Sequence, residues 1–291
     1  MRVLVVGSTG ALGRHLIPRL VEQNHQVRAV VRDQERAKGF RQMGVELIFG
    51  DILDAASMIT ATKDSDAVIH IATAIVQAAT TLARPRSAQD WIQNDRIRRE
   101  GTAKLLRAAE KNGVQRFIQQ STTFIYGDHG SEIVDETTLV PSIAPVPHRQ
   151  STVDMEALVR ASPLDWTVLR GGAFYGAGTG AEDEWRADAR EGRLRLPEDG
   201  SALISLCHVT DVARAFAMVL EQAPSGSVFN VVDDEPVSYR NLLYFVAAQA
   251  GVEPPPDSDL VMPSLGCCNS RIKSVLGWSP AYPTFRSGLS V

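Results

Sequence analysis

The stretch "VLVVGSTGALGRHL", Val3 to Leu16, decides the fold. It opens as an unbroken aliphatic run, not an apolar–polar alternation, which is the pattern of a strand buried on both faces of a parallel sheet. The run ends at Gly7, and Gly10 and Gly13 follow at intervals of three. From Ala11 onward apolar residues return at helical spacing. Strand, glycine turn and helix in that order build a phosphate cradle. Residues without a Cβ let the backbone close on a pyrophosphate, which rests on the unpaired N–H groups of the helix start. Gly7, Ser8, Thr9, Gly10, Ala11, Leu12 and Gly13 are therefore the expected dinucleotide contacts.

The alternation continues outward. "HQVRAVVR", "VELIFGD", "DAVIHIATA" and "QRFIQQST" read as further strands. "QERAKGFRQM", "LDAASMITAT" and a long stretch from about Asp90 to Asn112, closed by Gly113, read as the helices between them. Alternating strands and helices predict an α/β fold with a doubly wound, Rossmann-type parallel sheet and right-handed crossovers. After residue 125 the pattern loosens into a helix near 149–162, a strand "DWTVLRG", a helix near 181–191 and mixed elements beyond. We expect a dinucleotide-binding domain over 1–170, with strands returning from about 203–232, and a smaller C-terminal α/β substrate lobe over 171–291. Between the fourth strand and the long helix, "AIVQAATTLARPRSAQ" has little periodicity and reads either as a loop over the site or as a surface excursion.

The composition narrows the function. The chain has 291 residues, 44% hydrophobic and 22% charged, with a formal net charge of -4. That balance gives no electrostatic footprint for nucleic acid or for an acidic membrane. No run reaches the roughly 18 apolar residues of a membrane span. Three cysteines, two of them adjacent (Cys267, Cys268), make neither a disulfide framework nor a spaced metal site. A soluble cytoplasmic protein that binds small molecules and no metal is the expectation.

The glycine spacing G-x-x-G-x-x-G resembles that of the extended and atypical short-chain dehydrogenase/reductases, which include nucleotide-sugar epimerases and dehydratases. "GDILD", "VIHIATA", "EGTAKLLRAAEKNGVQRFIQQST", "FIYGD", "LRGGAFYGAGTG", "CHVTDVARA", "VFNVVDDEPVSYRNLL" and "LGWSPAYP" follow in that family's order, over nearly the whole chain. The resemblance implies that Asp51 and Ile52 meet the adenine and that Ala72 and Thr73 lie along ribose and phosphates. It also implies that relatives pair through the long helix and the helix near 149–162, so a homodimer is expected. Strand two chooses the cofactor. An NAD enzyme usually ends it with an acid for the ribose 2′-hydroxyl, whereas here Val31 and Arg32 stand there and Asp33 comes late. A guanidinium forms paired, charge-assisted bonds with a 2′-phosphate. NADP(H) is thus expected over NAD(H), held by Arg32 with Arg36 or Arg14 assisting.

At the reacting centre the family keeps a Ser or Thr after strand five and a Tyr-x-x-x-Lys on the next helix. Thr122 matches the first, with Ser121 adjacent. In "APVPHRQSTVDMEALV", His148 stands where Tyr belongs and Thr152 where Lys belongs, with Glu156 a turn further. No Tyr in the chain has a Lys four residues on. His148 could act as acid/base, or a proton could come from Tyr126, Tyr175 or Asp95, the last one turn before Arg98, where the resemblance implies an Asn. Alternatively no proton moves at all. Ala173 replaces an Asn often presented to sugar substrates, and His208 and Asp211 match a motif that braces the lobe. Trp91 and Trp185 are candidate pocket walls. Three functions follow in order: an NADP-binding oxidoreductase acting on a small carbonyl or hydroxyl compound, a nucleotide-sugar epimerase or dehydratase, and a non-catalytic NADP-sensing regulator.

Overall fold

The computed structural model describes residues 1–74, 88–141 and 147–289. Seven strands form one parallel sheet: β1 (Arg2–Val6), β2 (Gln26–Val31), β3 (Glu46–Phe49), β4 (Ala67–His70), β5 (Arg116–Thr122), β6 (Asp165–Gly171) and, after the short β7 (Ala173–Tyr175), β8 (Leu196–Pro197), β9 (Leu203–Ile204) and β10 (Leu206–His208), the late strand β11 (Ser227–Val231). Their spatial order is β3-β2-β1-β4-β5-β6-β11. The strand order reverses between β1 and β4, which opens a crevice at the C-terminal ends of these strands. Of the C-terminal strands only β11 joins this sheet; β9 and β10 pair outside it.

The aliphatic run at the N-terminus explains the layering. Val3 and Val5 pack into one core, with Leu12, Leu16 and Leu20 of α1 (Ala11–Glu22), Phe40 of α2 (Lys38–Gln42) and Phe216. Leu4 and Val6 point to the opposite face and meet Met58 of α3 (Ala55–Thr62). There they also join Leu105 and Leu106, from the helix that follows α4 (Ile92–Arg96), and Val159 of α6 (Pro147–Ala161). Successive side chains of a strand leave on opposite sides, so a run apolar at every position requires helices on both faces.

The long helix begins with a 3-10 turn at Ala88–Trp91, passes through α4 and a π turn at Ile97–Gly101, and ends in α5 (Thr102–Lys111). Gly113, at φ +70, closes it. The π turn is a local break in the i→i+4 ladder of the kind that recurs at functional sites.

A second core binds Tyr175, Trp185 of α7 (Ala181–Arg190), Leu196, Ile204, Phe285 and the inner face of a helix that follows α8 (Val209–Gln222). That helix is α9 (Tyr239–Ala250), contributing Leu242, Leu243 and Val246. Trp185 and Ala173 are both 1% exposed and belong to this core. Trp185 is thus part of this core, and its edge meets a small cleft with Glu182, Arg186 and Phe245. Asp211 is fully buried in α8, accepting the backbone N–H groups of Ala281 and Tyr282 at 2.9 Å each and pairing with Arg214 at 2.8 Å. It fastens the C-terminal segment to α8, while the imidazole of His208 caps the helix by accepting the N–H of Thr210 at 3.3 Å. Among the described residues no helix is long and apolar enough to cross a membrane. Most of "AIVQAATTLARPRSAQ" (75–87) lies outside the described residues.

Candidate active site

The glycine turn forms a cradle that admits no side chain at two of its three glycines. Gly7 sits at φ +101, and a Cβ there would stand 2.5 Å from the backbone N of Ala72. A Cβ on Gly13 would stand 2.1 Å from the carbonyl O of Ser8. The ends of β1 and β4 and the start of α1 therefore meet backbone to backbone. Ser8 turns inward and donates its Oγ–H to the carbonyl of Val30 at 2.7 Å, tying the loop to β2. The carbonyl of Thr9 accepts from Arg14 Nε at 3.2 Å. Gly10 caps α1 with no side-chain acceptor, so no residue of the loop competes for the first N–H groups of the helix. These features fit the pyrophosphate of a dinucleotide.

The loops after β2, β3 and β4 surround that cradle. Arg32 and Arg36 are exposed just beyond β2. Asp33 Oδ1 accepts the backbone N–H of Glu35 at 2.9 Å, which commits this late acid to shaping its own turn. Asp51 similarly accepts the N–H of Leu53 at 2.8 Å, and Ile52, 6% exposed, packs on Gly101 of the π turn. Ala72 donates its N–H to His70 Nδ1 at 3.2 Å, and Ala74 donates to Asn94 Oδ1 at 3.2 Å, so β4's loop is held from two sides while Thr73 is exposed. With Nδ1 accepting, the proton of His70 belongs on Nε2, which donates to Thr102 Oγ1 at 3.1 Å. Burial lowers the pKa of His70 to about 3 and keeps it neutral. No sequence motif marked His70 as the residue that sets this loop.

At the end of β5 the candidate hydroxyls separate. Thr122 is half-buried, and its Oγ1 accepts the N–H of Phe124 at 3.3 Å, leaving its own proton to donate. Ser121 points the other way: its Oγ donates to Glu156 Oε1 at 2.6 Å. Glu156 is also gripped by Arg170, through Nε at 2.9 Å and Nη2 at 2.7 Å. The Tyr126 ring lies 4.8 Å from the Arg170 guanidinium, and its hydroxyl donates to Asn230 Oδ1 at 2.8 Å. Burial raises the Tyr126 phenol well above its ordinary range. Ser121 and Tyr126 are thus spent inside the sheet–helix interface. Tyr175 is likewise buried, donating to Asp233 Oδ2 at 2.9 Å.

Helix α6 carries the departure from the Tyr-x-x-x-Lys pattern. Residue His148 occupies its first turn, and the His148 side chain lies outside the described residues. Thr152 is 1% exposed, and its Oγ1 is buried without a hydrogen-bond partner among the described residues. Ser151 donates to Asp95 Oδ1 at 2.7 Å and accepts from Arg98 Nη1 at 3.3 Å, while Arg99 pairs with Asp154 at 2.6 Å. Asp95 therefore helps clamp α6 to the long helix beside the π turn. The sequence reading missed Arg149. Its half-buried guanidinium lies over Gly127, where a Cβ would stand 3.5 Å from Nη1. The available signal was a cation in the first turn of a helix, against the macrodipole.

A doubly wound sheet with a side-chain-free phosphate cradle at its switch point is the architecture of a dinucleotide-binding protein. The model of the NAD dependent epimerase/dehydratase family matches residues 3–232, and the chain belongs to that family. It is 33% identical to a 3-diazoavenalumate denitrifying reductase from a Streptomyces species, over 99% of this chain and 99% of that one. It is 27% identical to a 2-alkyl-3-oxoalkanoate reductase of Stenotrophomonas maltophilia, over 86% of this chain and 76% of that one. Among solved structures, a dTDP-glucose 4,6-dehydratase from Streptomyces venezuelae, bound to NAD, superposes with a TM-score of 0.84, at 22% identity, over 100% of this chain and 95% of that one.

Proposed function

We propose that this protein is an NADP(H)-dependent reductase of small organic carboxylates that works without a Tyr–Lys pair. The observation that carries the cofactor choice is the end of β2, where Arg32 is exposed and the carboxylate of Asp33 is diverted to the N–H of Glu35. A guanidinium free to meet a 2′-phosphate, with the nearby acid occupied, favours the phosphorylated dinucleotide. Gly7 to Gly13 would hold the pyrophosphate, Asp51 and Ile52 the adenine side, and Ala72 and Thr73 the ribose–phosphate run. Bound there, the dinucleotide supplies a hydride.

Two of the curated relatives with which it shares most of its length are reductases named for acids, an avenalumate and an oxoalkanoate; two others over comparable spans are a ketoreductase named for a dihydroquinoline-1-oxide and a UDP-glucose 4-epimerase. The chain's own residues constrain the chemistry further. Reducing a ketone places a proton on oxygen as the hydride arrives, whereas an electrophile that expels a neutral group asks for no acid on the protein. With Thr152 buried and short at the lysine's place, this chain suits an acceptor of low proton demand, oriented by the Thr122 hydroxyl. The epimerase reading is weaker, because Ala173 is sealed in the second core and presents nothing to a sugar.

Titration of the cofactors by protein fluorescence tests the first claim. Wild-type protein binds NADPH more tightly than NADH, and Arg32→Ala weakens NADPH by about 10- to 100-fold, the loss of a charged hydrogen bond worth about 1.5–3 kcal/mol, while leaving NADH unchanged. A wild-type preference for NADH defeats the assignment. For Thr122→Val, kcat falls about tenfold, near 1.4 kcal/mol for one lost hydrogen bond, with NADPH affinity unaltered. Unchanged kcat across a panel of 3-oxo acids and aryl acids would remove Thr122 from the site.

A further inference from the structure

We propose that Arg149 is the substrate's carboxylate anchor, set between the C-terminal edge of the sheet and the second lobe. The inference rests on the reductase reading above and deepens it, by assigning a residue to the acid group of the substrate.

Placement comes first. Arg149 is the third residue of α6, and its guanidinium reaches over Gly127, which directly follows the 3-10 turn Thr123–Tyr126 at the end of β5. Thr122 therefore stands at the root of the same turn. On that turn, Phe124 packs against the second core, and Tyr239, at the start of α9, faces Arg149 from the other lobe. The cation thus stands where the two lobes meet, beside the crevice in which such sheets bind ligands.

The energetics of the site are unfavourable until an anion arrives. A positive charge in the first turn opposes the helix macrodipole, and α6 has no acid in that turn to offset it. Burial lowers the Arg149 pKa, and Asp128 counters it only through charge. The Oδ1 of Asp128 is already spent on the N–H groups of Gly130 at 3.0 Å and Ser264 at 3.1 Å. Tyr239 is 2% exposed, and burial raises its phenol well above the ordinary range, so it is no anionic partner. The contrast with Arg99 and Arg170 is direct: each of those has a carboxylate at 2.6–2.7 Å. A half-buried guanidinium without such a partner among the described residues is organised for the fork-on-carboxylate geometry that arginine favours. A carboxylate bound there would leave the reducible end of a short substrate to reach Thr122.

Calorimetric titration decides the matter, with protein saturated with NADP and, separately, with cofactor-free protein. The probes are 3-oxooctanoate and 4-hydroxycinnamate, each beside its methyl ester. At least one acid binds wild-type protein about tenfold or more tightly than its ester. Arg149→Gln erases that difference, and Arg149→Lys retains part of it. Both variants keep the thermal midpoint and the NADPH affinity of the wild type, because Arg149 holds no carboxylate partner among the described residues and lies outside the cradle. Equal binding of acid and ester by the wild type, binding of neither, or an acid preference surviving in Arg149→Gln overturns the anchor. Loss of NADPH binding would defeat the reductase reading alone, since the cofactor-free titration still reports on Arg149.

Discussion

Gly7→Ala is expected to lose NADPH beyond about a hundredfold and to melt several degrees early, while Gly10→Ala loses affinity but keeps the wild-type midpoint. The three glycines look equivalent in the sequence and are not equivalent in space. Gly7 has φ +101, and its absent Cβ would sit 2.5 Å from the Ala72 backbone. An alanine there meets the left-handed strain of about 1–2 kcal/mol and must also push β1 away from β4. The displaced loop withdraws N–H groups that each contribute about 1.5–3 kcal/mol to an anion, hence the expected hundredfold loss. Gly13→Ala belongs with Gly7→Ala, because its Cβ would stand 2.1 Å from the Ser8 carbonyl. Gly10 differs: φ is -74, and a Cβ would find only the Gly7 carbonyl, at 3.4 Å. Its methyl disturbs the ligand and not the fold. Thermal melts and fluorescence titration of the three variants check the split. A Gly10→Ala variant that melts with Gly7→Ala, or a Gly7→Ala variant that binds NADPH normally, contradicts the cradle as described.

That distinction marks how far the sequence could be read. The glycine spacing, the buried strands and the helices between them are signals carried by neighbouring residues, so the parallel, doubly wound sheet and the cradle were legible. "DWTVLRG" is a strand from Asp165 to Gly171 as expected. Helix α6 begins at Pro147, two residues before the expected start, because proline suits a first helical position. The long helix was read as regular, yet it contains the π turn Ile97–Gly101. The extra residue rotates the face that follows by about 100°, but only the five residues of α4 and one 3-10 turn precede it, too short a periodic stretch for the shift to be read. In the site the losses were greater. Ser121 looked like a catalytic hydroxyl because it adjoins Thr122, but adjacent residues of a strand face opposite sides. Ser121 faces Glu156 for that reason. Tyr126, expected to donate from another wall, gives its hydroxyl to Asn230 instead. Arg149 offered only the signal of a cation in a helix's first turn, because the rest of its meaning lies in which described groups surround it, and that leaves no letter in the sequence.

Glu156→Gln is expected to lower the thermal midpoint by about 10 °C without weakening NADPH binding. Glu156 and Arg170 are 4% and 3% exposed, and the carboxylate serves Ser121 and two donors, Nε and Nη2, on one edge of the guanidinium. Removing one charge of a buried pair leaves the other stranded, at a cost of about 3–5 kcal/mol. For a chain of this size each kcal/mol moves the midpoint by roughly 2–4 °C. Arg160→Ala is the control: this second partner, at 3.3 Å, is 43% exposed, so its removal costs under about 1 kcal/mol. The pH dependence has a definite sign. Burial works to raise the Glu156 pKa, but the bonds and charge of Arg170, with the bond from Ser121, hold it below the ordinary carboxylate value of 4.5. A depressed folded value means that the stabilisation is complete above the unfolded pKa and is lost as pH falls through the folded one. The gap between wild type and Glu156→Gln is therefore constant from pH 8 to about pH 5 and narrows in stronger acid. A gap that widens on acidification, or a variant melting with Arg160→Ala at neutral pH, would mean that the pair does not hold α6 to the sheet. Because α6 also presents Arg149, that outcome would loosen the geometry on which the anchor depends.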